Sequence, residues 1–279
     1  MLKGISRWSL PPDIPLDECF RRAKQAGFDG LELSFDGEGD LGFSTTQAEA
    51  ESIRRTADSA GMRIAGLATG FLWDHSLTAS DPEVRGKGIA AVDKMLDIAA
   101  WLGVDAILVV PGSVDVFFLP DAEVVPYDTA YERSRDAIAG LVSKAEANKV
   151  TIGLENVWNK FLLSPLELRG FIDSFGSERV GSYFDVGNTL LMGYPEHWIP
   201  ILGKRIARVH VKDFRKAVGT ADGFVDLGEG DVNWSAVMGA LRGIGYDGFV
   251  TAEMIPAYKH IPDGTLYAAS RALDGFFAL

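Results

Sequence analysis

The chain has 279 residues, 47% of them hydrophobic and 24% charged, which is the composition of a globular protein with a sizeable core. Its formal net charge of −12 argues against a nucleic-acid partner, because binding a phosphate backbone requires a basic face. The sequence contains no apolar run long enough for a membrane span, and we expect no signal peptide. The single cysteine, Cys19, excludes an intrachain disulfide. These features predict a cytoplasmic protein that acts on a small molecule.

Short apolar runs alternate with amphipathic stretches along the whole chain. The apolar runs are rich in Val, Ile, Leu and Phe, and they predict strands over residues 3–8, 30–35, 63–68, 106–110, 151–155, 181–185, 207–212 and 248–254. The stretches between them predict helices over residues 15–26, 45–60, 81–102, 129–148, 165–175, 196–202, 234–244 and 266–277. The helix over 81–102 has clear end signals, with Asp81 and Pro82 at its start and Gly103 after its end.

The alternation favours a closed barrel of β/α units. The phrases AGFDGLEL, AGMRIAGL, LGVDAILVV and IGYDGFVTAEM share one pattern, in which a helix ends, a glycine turns the chain and a buried strand follows. Eight such units predict an α/β fold, a single-domain (β/α)8 TIM barrel over residues 1–279. A doubly wound open sheet is the alternative, but no G-x-G-x-x-G follows the first strand. The loops 70–80, 112–127 and 214–232 follow strands, so they are expected on the face where barrel active sites lie.

Four polar residues interrupt the ends of consecutive apolar strands. Glu155 closes TIGLE, Asp185 closes GSYFD, His210 lies in RVHVKD and Glu253 lies in FVTAE. A charge on a buried strand is costly unless it is paired or bound to a metal, so the set favours a common explanation. Three carboxylates and an imidazole at a barrel mouth suit one divalent metal ion, Mn²⁺, Mg²⁺, Co²⁺ or Zn²⁺. Four separate hydrogen-bond networks are the alternative interpretation.

A metal ion at that position would support proton transfer on a small sugar. It would polarise a carbonyl and stabilise the enediolate that proton loss leaves. Glu155 and Glu253 are predicted three strand positions apart, so we expect them to flank the substrate as the catalytic pair. Returning the proton to the opposite face gives epimerisation, and returning it to the neighbouring carbon gives aldose–ketose isomerisation. Because ligation lowers the basicity of a carboxylate, we expect weak or one-oxygen coordination by these glutamates.

Other polar and aromatic residues near the strand ends are candidates for supporting roles. Asn156 and Asp213 are candidates to orient the metal ligands, with turn formation and loop capping as the alternatives. The candidates for substrate contact are Asn188, Arg215, Lys216, Trp73, His75 and Trp158. For these six residues, the alternatives are turn formation, solvated charge, core packing or a surface position.

The segments GFDGLEL, GLENVWNKF, YFDVGN, RVHVKDF, LGEGDVNW and GYDGFVTAEM resemble the xylose-isomerase-like barrel superfamily of sugar and sugar-phosphate isomerases and epimerases. The ordered Glu-Asp-His-Glu set on strands five to eight is the most specific part of the resemblance. In relatives such as ketose 3-epimerases and L-xylulose-5-phosphate 3-epimerase, residues matching Glu155, Asp185, His210 and Glu253 bind the metal. The resemblance also implies that Glu155 and Glu253 exchange protons with the substrate.

The chain departs from the free-sugar 3-epimerases at two positions. Asn188 stands where several of them carry a substrate-binding histidine, and Lys160, Phe161 and Leu162 occupy the region of a second glutamate. The resemblance implies a substrate-contacting arginine after strand seven, for which Arg215 or Lys216 is the nearest match. Substrate identity is therefore not transferred from these relatives.

Three other functions remain alternatives to a metal-dependent sugar or sugar-phosphate epimerase. An inosose-type dehydratase uses similar proton abstraction followed by hydroxide loss, and a non-catalytic sugar-binding barrel would not need two opposed glutamates. An endonuclease-IV-like repair enzyme needs a histidine-rich three-zinc cluster, and the four histidines and the acidic charge argue against it. The sequence leaves open the substrate, its phosphorylation, the native metal and whether the chain forms a homo-oligomer.

Overall fold

A computed structural model describes residues 1–116, 118–119, 121–255 and 257–279. Eight parallel strands form a closed barrel: β1 (Leu2–Ser6), β2 (Gly30–Ser34), β3 (Arg63–Ala68), β4 (Ala106–Val109), β5 (Thr151–Glu155), β6 (Val180–Asp185), β7 (Ile206–Val211) and β10 (Phe249–Ala252). Around the ring the strands follow chain order, and β1 closes the barrel by pairing with β10 on one side and β2 on the other. The prediction of a TIM barrel is confirmed.

Nine helices are present in the described part of the chain. They are α1 (Leu16–Gln25), α2 (Gln47–Ser59), α3 (Pro82–Leu102), α4 (Tyr127–Asn148), α5 (Pro165–Asp173), α6 (Val186–Thr189), α7 (Pro195–Leu202), α8 (Trp234–Gly243) and α9 (Pro262–Ala278). Side-chain caps begin several of them: Thr46 and Glu49 form a capping box at α2, while Asp81 and Ser164 cap α3 and α5. No helix in the described ranges is long and apolar enough to cross a membrane.

The structure differs from the sequence prediction mainly after the strands. The first strand ends at Ser6, and a 3-10 turn over Arg7–Ser9 replaces its predicted last residues. The predicted loop 214–232 overlaps a short antiparallel ribbon of β8 (Asp213–Phe214) and β9 (Phe224–Val225). The one-turn helix α6 follows β6 directly. Residues 117 and 120, within the predicted loop 112–127, lie outside the described residues.

One glycine sets how closely α3 approaches the loop after β3. A Cβ atom added at Gly88 would collide with the backbone carbonyl oxygen of His75. Gly86, two residues earlier in the same helix, is exposed, and a Cβ there would meet no atom within 4 Å. The absence of a side chain at Gly88 therefore permits this packing, whereas Gly86 contributes only chain flexibility.

We expect Gly88→Ala to lower the free energy of unfolding by about 1–3 kcal/mol, because the added methyl group forces the helix and loop apart. The matched control Gly86→Ala should raise it by about 0.5–1 kcal/mol through helix propensity. Urea unfolding followed by circular dichroism measures both values. Equal effects of the two substitutions would show that the close approach at Gly88 does not limit packing.

Candidate metal and active site

The four predicted ligands meet at the carboxyl-terminal mouth of the barrel. Glu155 and Asp185 are the last residues of β5 and β6, His210 lies in β7, and Glu253 follows β10 directly. One ligand atom from each of the four lies within 4.8 Å of the other three. All four residues are at most 8% exposed. Parallel strands deliver their carboxyl ends to one rim, which is how residues separated by almost a hundred positions come together.

Two buried atoms in this cluster indicate that it fits a cation. In the described part of the chain, Asp185 Oδ2 and His210 Nδ1 are buried without a hydrogen-bond partner. The other oxygen of Asp185 is occupied, because Oδ1 accepts a 2.6 Å hydrogen bond from the backbone N–H of Asn188. Unpaired buried polar atoms are costly, and a divalent ion would satisfy both. The carboxylate-rich donor set is also one that divalent cations prefer.

Glu32, on β2, contacts the Nε2 atom of the His210 ring. Its carboxylate oxygens lie 2.8 and 2.9 Å from His210 Nε2, and it also accepts a hydrogen bond from the hydroxyl group of Tyr183. A proton on Nε2 that is donated to Glu32 leaves the Nδ1 lone pair facing the cluster. Sequence reasoning did not select Glu32, although it is a buried acid within the segment GFDGLEL. Its signal in the sequence is a charge inside an apolar strand, but Glu32 lies in the middle of β2 and not at a strand end.

Lys212 supplies a positive charge to the cluster. Its ammonium group donates a hydrogen bond to Glu253 and lies 3.2 Å from Asp185 Oδ2, a charge contact without hydrogen-bond geometry. Its side chain is only 16% exposed, so the attraction is weakly screened. The strand-seven segment RVHVKD thus contributes both a candidate ligand and a counter-charge.

The two glutamates have opposite pKa shifts in this arrangement of protein groups. Burial, reinforced by the charge of Glu253, raises the pKa of Glu155 to about 8. Burial alone would also raise the pKa of Glu253, but the positive charges of Lys212 and His210 outweigh it and lower that pKa. Two carboxyl groups facing one cavity are therefore biased towards different protonation states.

The pKa of His210 is also shifted from its ordinary value. Burial by itself lowers the pKa of His210, but the negative charge and hydrogen bond of Glu32 outweigh it and raise the pKa to about 9. Binding of a cation at Nδ1 requires the neutral imidazole, so it would release a proton.

Asn156 is hydrogen-bonded to the backbone of Asp185, and its role in orienting a metal ligand stays a prediction. Its side-chain oxygen accepts a 2.8 Å hydrogen bond from the backbone N–H of Asp185, and its side-chain nitrogen donates to the backbone oxygen of Asp185 at 2.8 Å. Asn188 lies beside it and donates to the backbone oxygen of Asn156 at 3.1 Å, with the same nitrogen 3.4 Å from Glu155 Oε1. These contacts tie the ends of β5 and β6 together.

A cavity of about 210 Å³ lies directly against the cluster, and we call it the inner cavity. Its polar lining comes from Thr69, Glu155, Asn188, Lys212 and Glu253, and its aromatic lining includes Trp8, Trp73, Trp158, Phe118 and Phe224. The indole N–H of Trp158 donates to the backbone oxygen of Asn188 at 2.8 Å, which fixes the ring in place. Trp73 and Trp158 therefore line the cavity beside its polar groups, and their contact with a substrate stays a prediction.

Three of the predicted substrate contacts lie away from this cavity. His75 stacks on Phe71, Arg215 and Lys216 are exposed, and Arg215 pairs with Glu229 at 3.3 Å. As substrate contacts, His75, Arg215 and Lys216 stay predictions.

The expectation that Asp213 orients a metal ligand is corrected by its contacts. Its carboxylate accepts hydrogen bonds from the indole of Trp234 and from backbone N–H groups of Phe214, Gly228 and Val232. Burial at the base of the β8–β9 ribbon directs it to these donors, so it organises the loop.

We expect Glu32→Gln to weaken Mn²⁺ or Co²⁺ binding about 10- to 100-fold, because the amide loses the charge that orients and polarises His210. Isothermal titration calorimetry measures the dissociation constant. Tyr183→Phe is the matched control, since it removes the other hydrogen bond to Glu32 and leaves the histidine contact; a smaller change is expected there. Unchanged metal affinity in Glu32→Gln would contradict a supporting role for Glu32.

Comparison with known proteins identifies the family to which this barrel is similar. Residues 20–273 match the family model described as "Xylose isomerase-like TIM barrel". The chain is 29% identical over 242 residues to 2-epi-5-epi-valiolone 7-phosphate 2-epimerase of Actinoplanes sp., covering 86% of this chain and 82% of that protein.

Two solved structures are similar along almost their whole length. A D-psicose 3-epimerase crystallised in the presence of D-fructose has a TM-score of 0.79 at 18% identity, covering 99% of this chain and 98% of the other. The IOLI protein with a bound zinc atom has a TM-score of 0.79 at 17% identity, covering 100% and 98% of the two chains. The closed barrel and the match over nearly all of the sequence lead to one conclusion: this chain belongs to the xylose isomerase-like TIM barrel family.

Proposed function

We propose that the chain is a divalent-metal-dependent epimerase or isomerase of a small sugar or sugar phosphate. The observation that carries the proposal is the buried cluster of Glu155, Asp185, His210 and Glu253 against the inner cavity. The named activities of the similar proteins, which are sugar or sugar-like epimerases, support the reaction class. A cytoplasmic location and a homo-oligomeric state stay predictions.

The four clustered side chains would hold the metal ion, and their oxygen-rich set suits Mn²⁺, Mg²⁺, Co²⁺ or Zn²⁺. Zinc has support from the IOLI structure, which carries that metal on the same fold. The ion, when bound, polarises the substrate carbonyl and stabilises the negative charge that proton removal creates. Asn156 and Glu32 keep the aspartate and the histidine in the orientation that this role requires.

Glu155 and Glu253 exchange protons with the substrate in this proposal. Both line the inner cavity, and the strands that carry them, β5 and β10, are separated by β6 and β7 around the ring. One carboxylate removes the proton beside the carbonyl, and the other returns a proton. Groups that approach from separated strands can reach opposite faces of one carbon, which favours epimerisation over transfer to the neighbouring carbon. Lys212 neutralises part of the charge that the paired acids create.

We expect Glu155→Gln and Glu253→Gln each to reduce turnover by about 10²–10⁴-fold, because an amide cannot accept or return the proton. The readout is solvent deuterium incorporation followed by NMR across ketoses, their phosphates and inososes. Glu178→Gln, an exposed substitution just before β6 at the opposite end of the barrel, is the control and should retain wild-type exchange. Near-normal exchange in either active-site variant would reject the assigned proton transfer.

The same experiment distinguishes the alternative reactions. Loss of water from an inosose identifies the dehydratase, whereas deuterium gain without loss of mass identifies epimerisation or isomerisation. A protein that binds sugar and metal but exchanges no deuterium would be a sugar-binding barrel.

Removal of the metal should abolish activity. We expect EDTA followed by desalting to eliminate deuterium exchange, and Mn²⁺ or Co²⁺ to restore it, because the substrate carbonyl loses its electrophilic partner. Metal content measured by mass spectrometry must fall in parallel with the rate. Full activity at negligible metal content would refute the cofactor assignment.

A further inference from the structure

A second and larger cavity, of about 970 Å³, opens outward from the inner cavity, and we call it the outer cavity. It lies between the segments after β1, β2 and β3 and the segment after β10. Trp8, Trp73 and Glu253 line both cavities, so the two are adjoining parts of one binding region. A small sugar whose reacting carbon lies between Glu155 and Glu253 would leave most of the outer cavity unfilled.

The lining of the outer cavity is held in place by hydrogen bonds. The indole N–H of Trp8 donates to Ser34 Oγ at 3.1 Å, and this hydroxyl donates to Asp36 Oδ1 at 2.5 Å. The Trp8 ring is therefore anchored as a half-buried wall, while Asp36 and Asp40 remain exposed at the cavity. An aromatic ring beside carboxylate acceptors suits the apolar face and the hydroxyl groups of a sugar ring.

The charges in the outer cavity disfavour a phosphate group. Three carboxylates, Asp36, Asp40 and Glu253, line it together with Arg7 and the exposed Lys259. The guanidinium group of Arg7 is already committed to the chain: its two terminal nitrogens donate to the backbone oxygens of Leu10, Pro11, Pro12 and Ile14 at 2.8–3.4 Å. A phosphate dianion would therefore meet excess negative charge with one exposed lysine to offset it.

We propose, resting on the proposed function, that the outer cavity is a subsite for a second, uncharged sugar unit. The reacting keto sugar occupies the inner cavity, and its glycosidic partner lies against Trp8 with hydroxyl groups donating to Asp36 and Asp40. The substrate class is then a glycoside of a keto sugar rather than a sugar phosphate.

The test compares sugars that share one ketose and differ in its substituent. D-Fructose, D-fructose 6-phosphate, isomaltulose (6-O-glucosyl fructose) and lactulose (4-O-galactosyl fructose) are incubated with metal-loaded enzyme in D₂O, and NMR measures exchange beside the carbonyl. Saturation-transfer NMR on the same samples measures binding of each ring independently of turnover. We expect at least one disaccharide to exceed fructose 6-phosphate in kcat/KM by about tenfold or more.

A charge substitution tests the location of the subsite. Asp36→Arg should lower kcat/KM for the preferred disaccharide about tenfold and raise that for fructose 6-phosphate, because it replaces an acceptor with a cation. Glu38→Arg makes the same change of charge at an exposed position of the same loop that does not line the cavity, and it should leave the preference unchanged. An equal shift in both variants would attribute the effect to overall charge and overturn the subsite.

The outcomes separate the two proposals. Exchange of fructose or its phosphate with no gain for either disaccharide overturns the subsite and leaves the epimerase assignment standing. Binding of the glycosyl ring without exchange in any of the four sugars supports the subsite, and the wider panel of ketoses, their phosphates and inososes then decides the epimerase assignment. Neither binding nor exchange of any of the four sugars overturns the subsite, whereas the epimerase assignment is overturned only if that wider panel also shows no exchange.

Discussion

Burial of several carboxylates at one point is the constraint on which the functional end of this molecule depends. Glu155, Asp185 and Glu253 lie together with little access to water, and Glu32 lies just beneath them. Such a group is unstable without positive charge, because desolvation and mutual repulsion both oppose ionisation. Within the protein, His210 and Lys212 provide that charge. The unpartnered atoms of Asp185 and His210 leave room for a cation to provide more.

The closed parallel barrel holds the clustered acidic residues and His210 in a fixed arrangement. Each of the four clustered residues lies within one residue of a strand end, and neighbouring strands hold these ends in register, as in the pairing of Asp185 with His210. Asn156 fixes the backbone of Asp185, and Glu32 fixes the ring of His210. The orientation of these side chains therefore depends on buried hydrogen bonds between secondary-structure elements and not on a loop.

The strand ends carry the acidic cluster, whereas the segments that follow the strands line the outer cavity. The inner cavity combines the acidic cluster with indole walls, and it suits a single polar ring. The outer cavity is larger and carries exposed carboxylates, and its arginine is occupied by backbone oxygens. The proposed glycosyl subsite would distinguish this chain from a similar protein that is named as an epimerase of a phosphorylated compound.

The amino-acid sequence by itself determined the barrel and the identity of the four clustered residues. Alternation of apolar runs with amphipathic stretches specifies β/α units, and an acid or histidine at the end of a buried strand is unusual enough to detect. The limits of β3 and β5 agree with prediction, because turn residues bound both apolar runs. The strand end at Ser6 was less predictable, because a 3-10 turn that Ser6 caps follows β1 there.

Only the tertiary structure decided which side chains cooperate with those four. Glu32 lies 178 positions from His210, and no local spacing links them; closure of the barrel brings them together. Asp213 and Arg215 follow the same strand as His210, yet their side chains form hydrogen bonds with Trp234 and Glu229 in and after the following loop. Nearness to His210 in the sequence therefore did not predict which side chains after β7 face the cluster. Side-chain direction at a strand end depends on the ribbon and the cavity packed against it, and these form only in the folded chain.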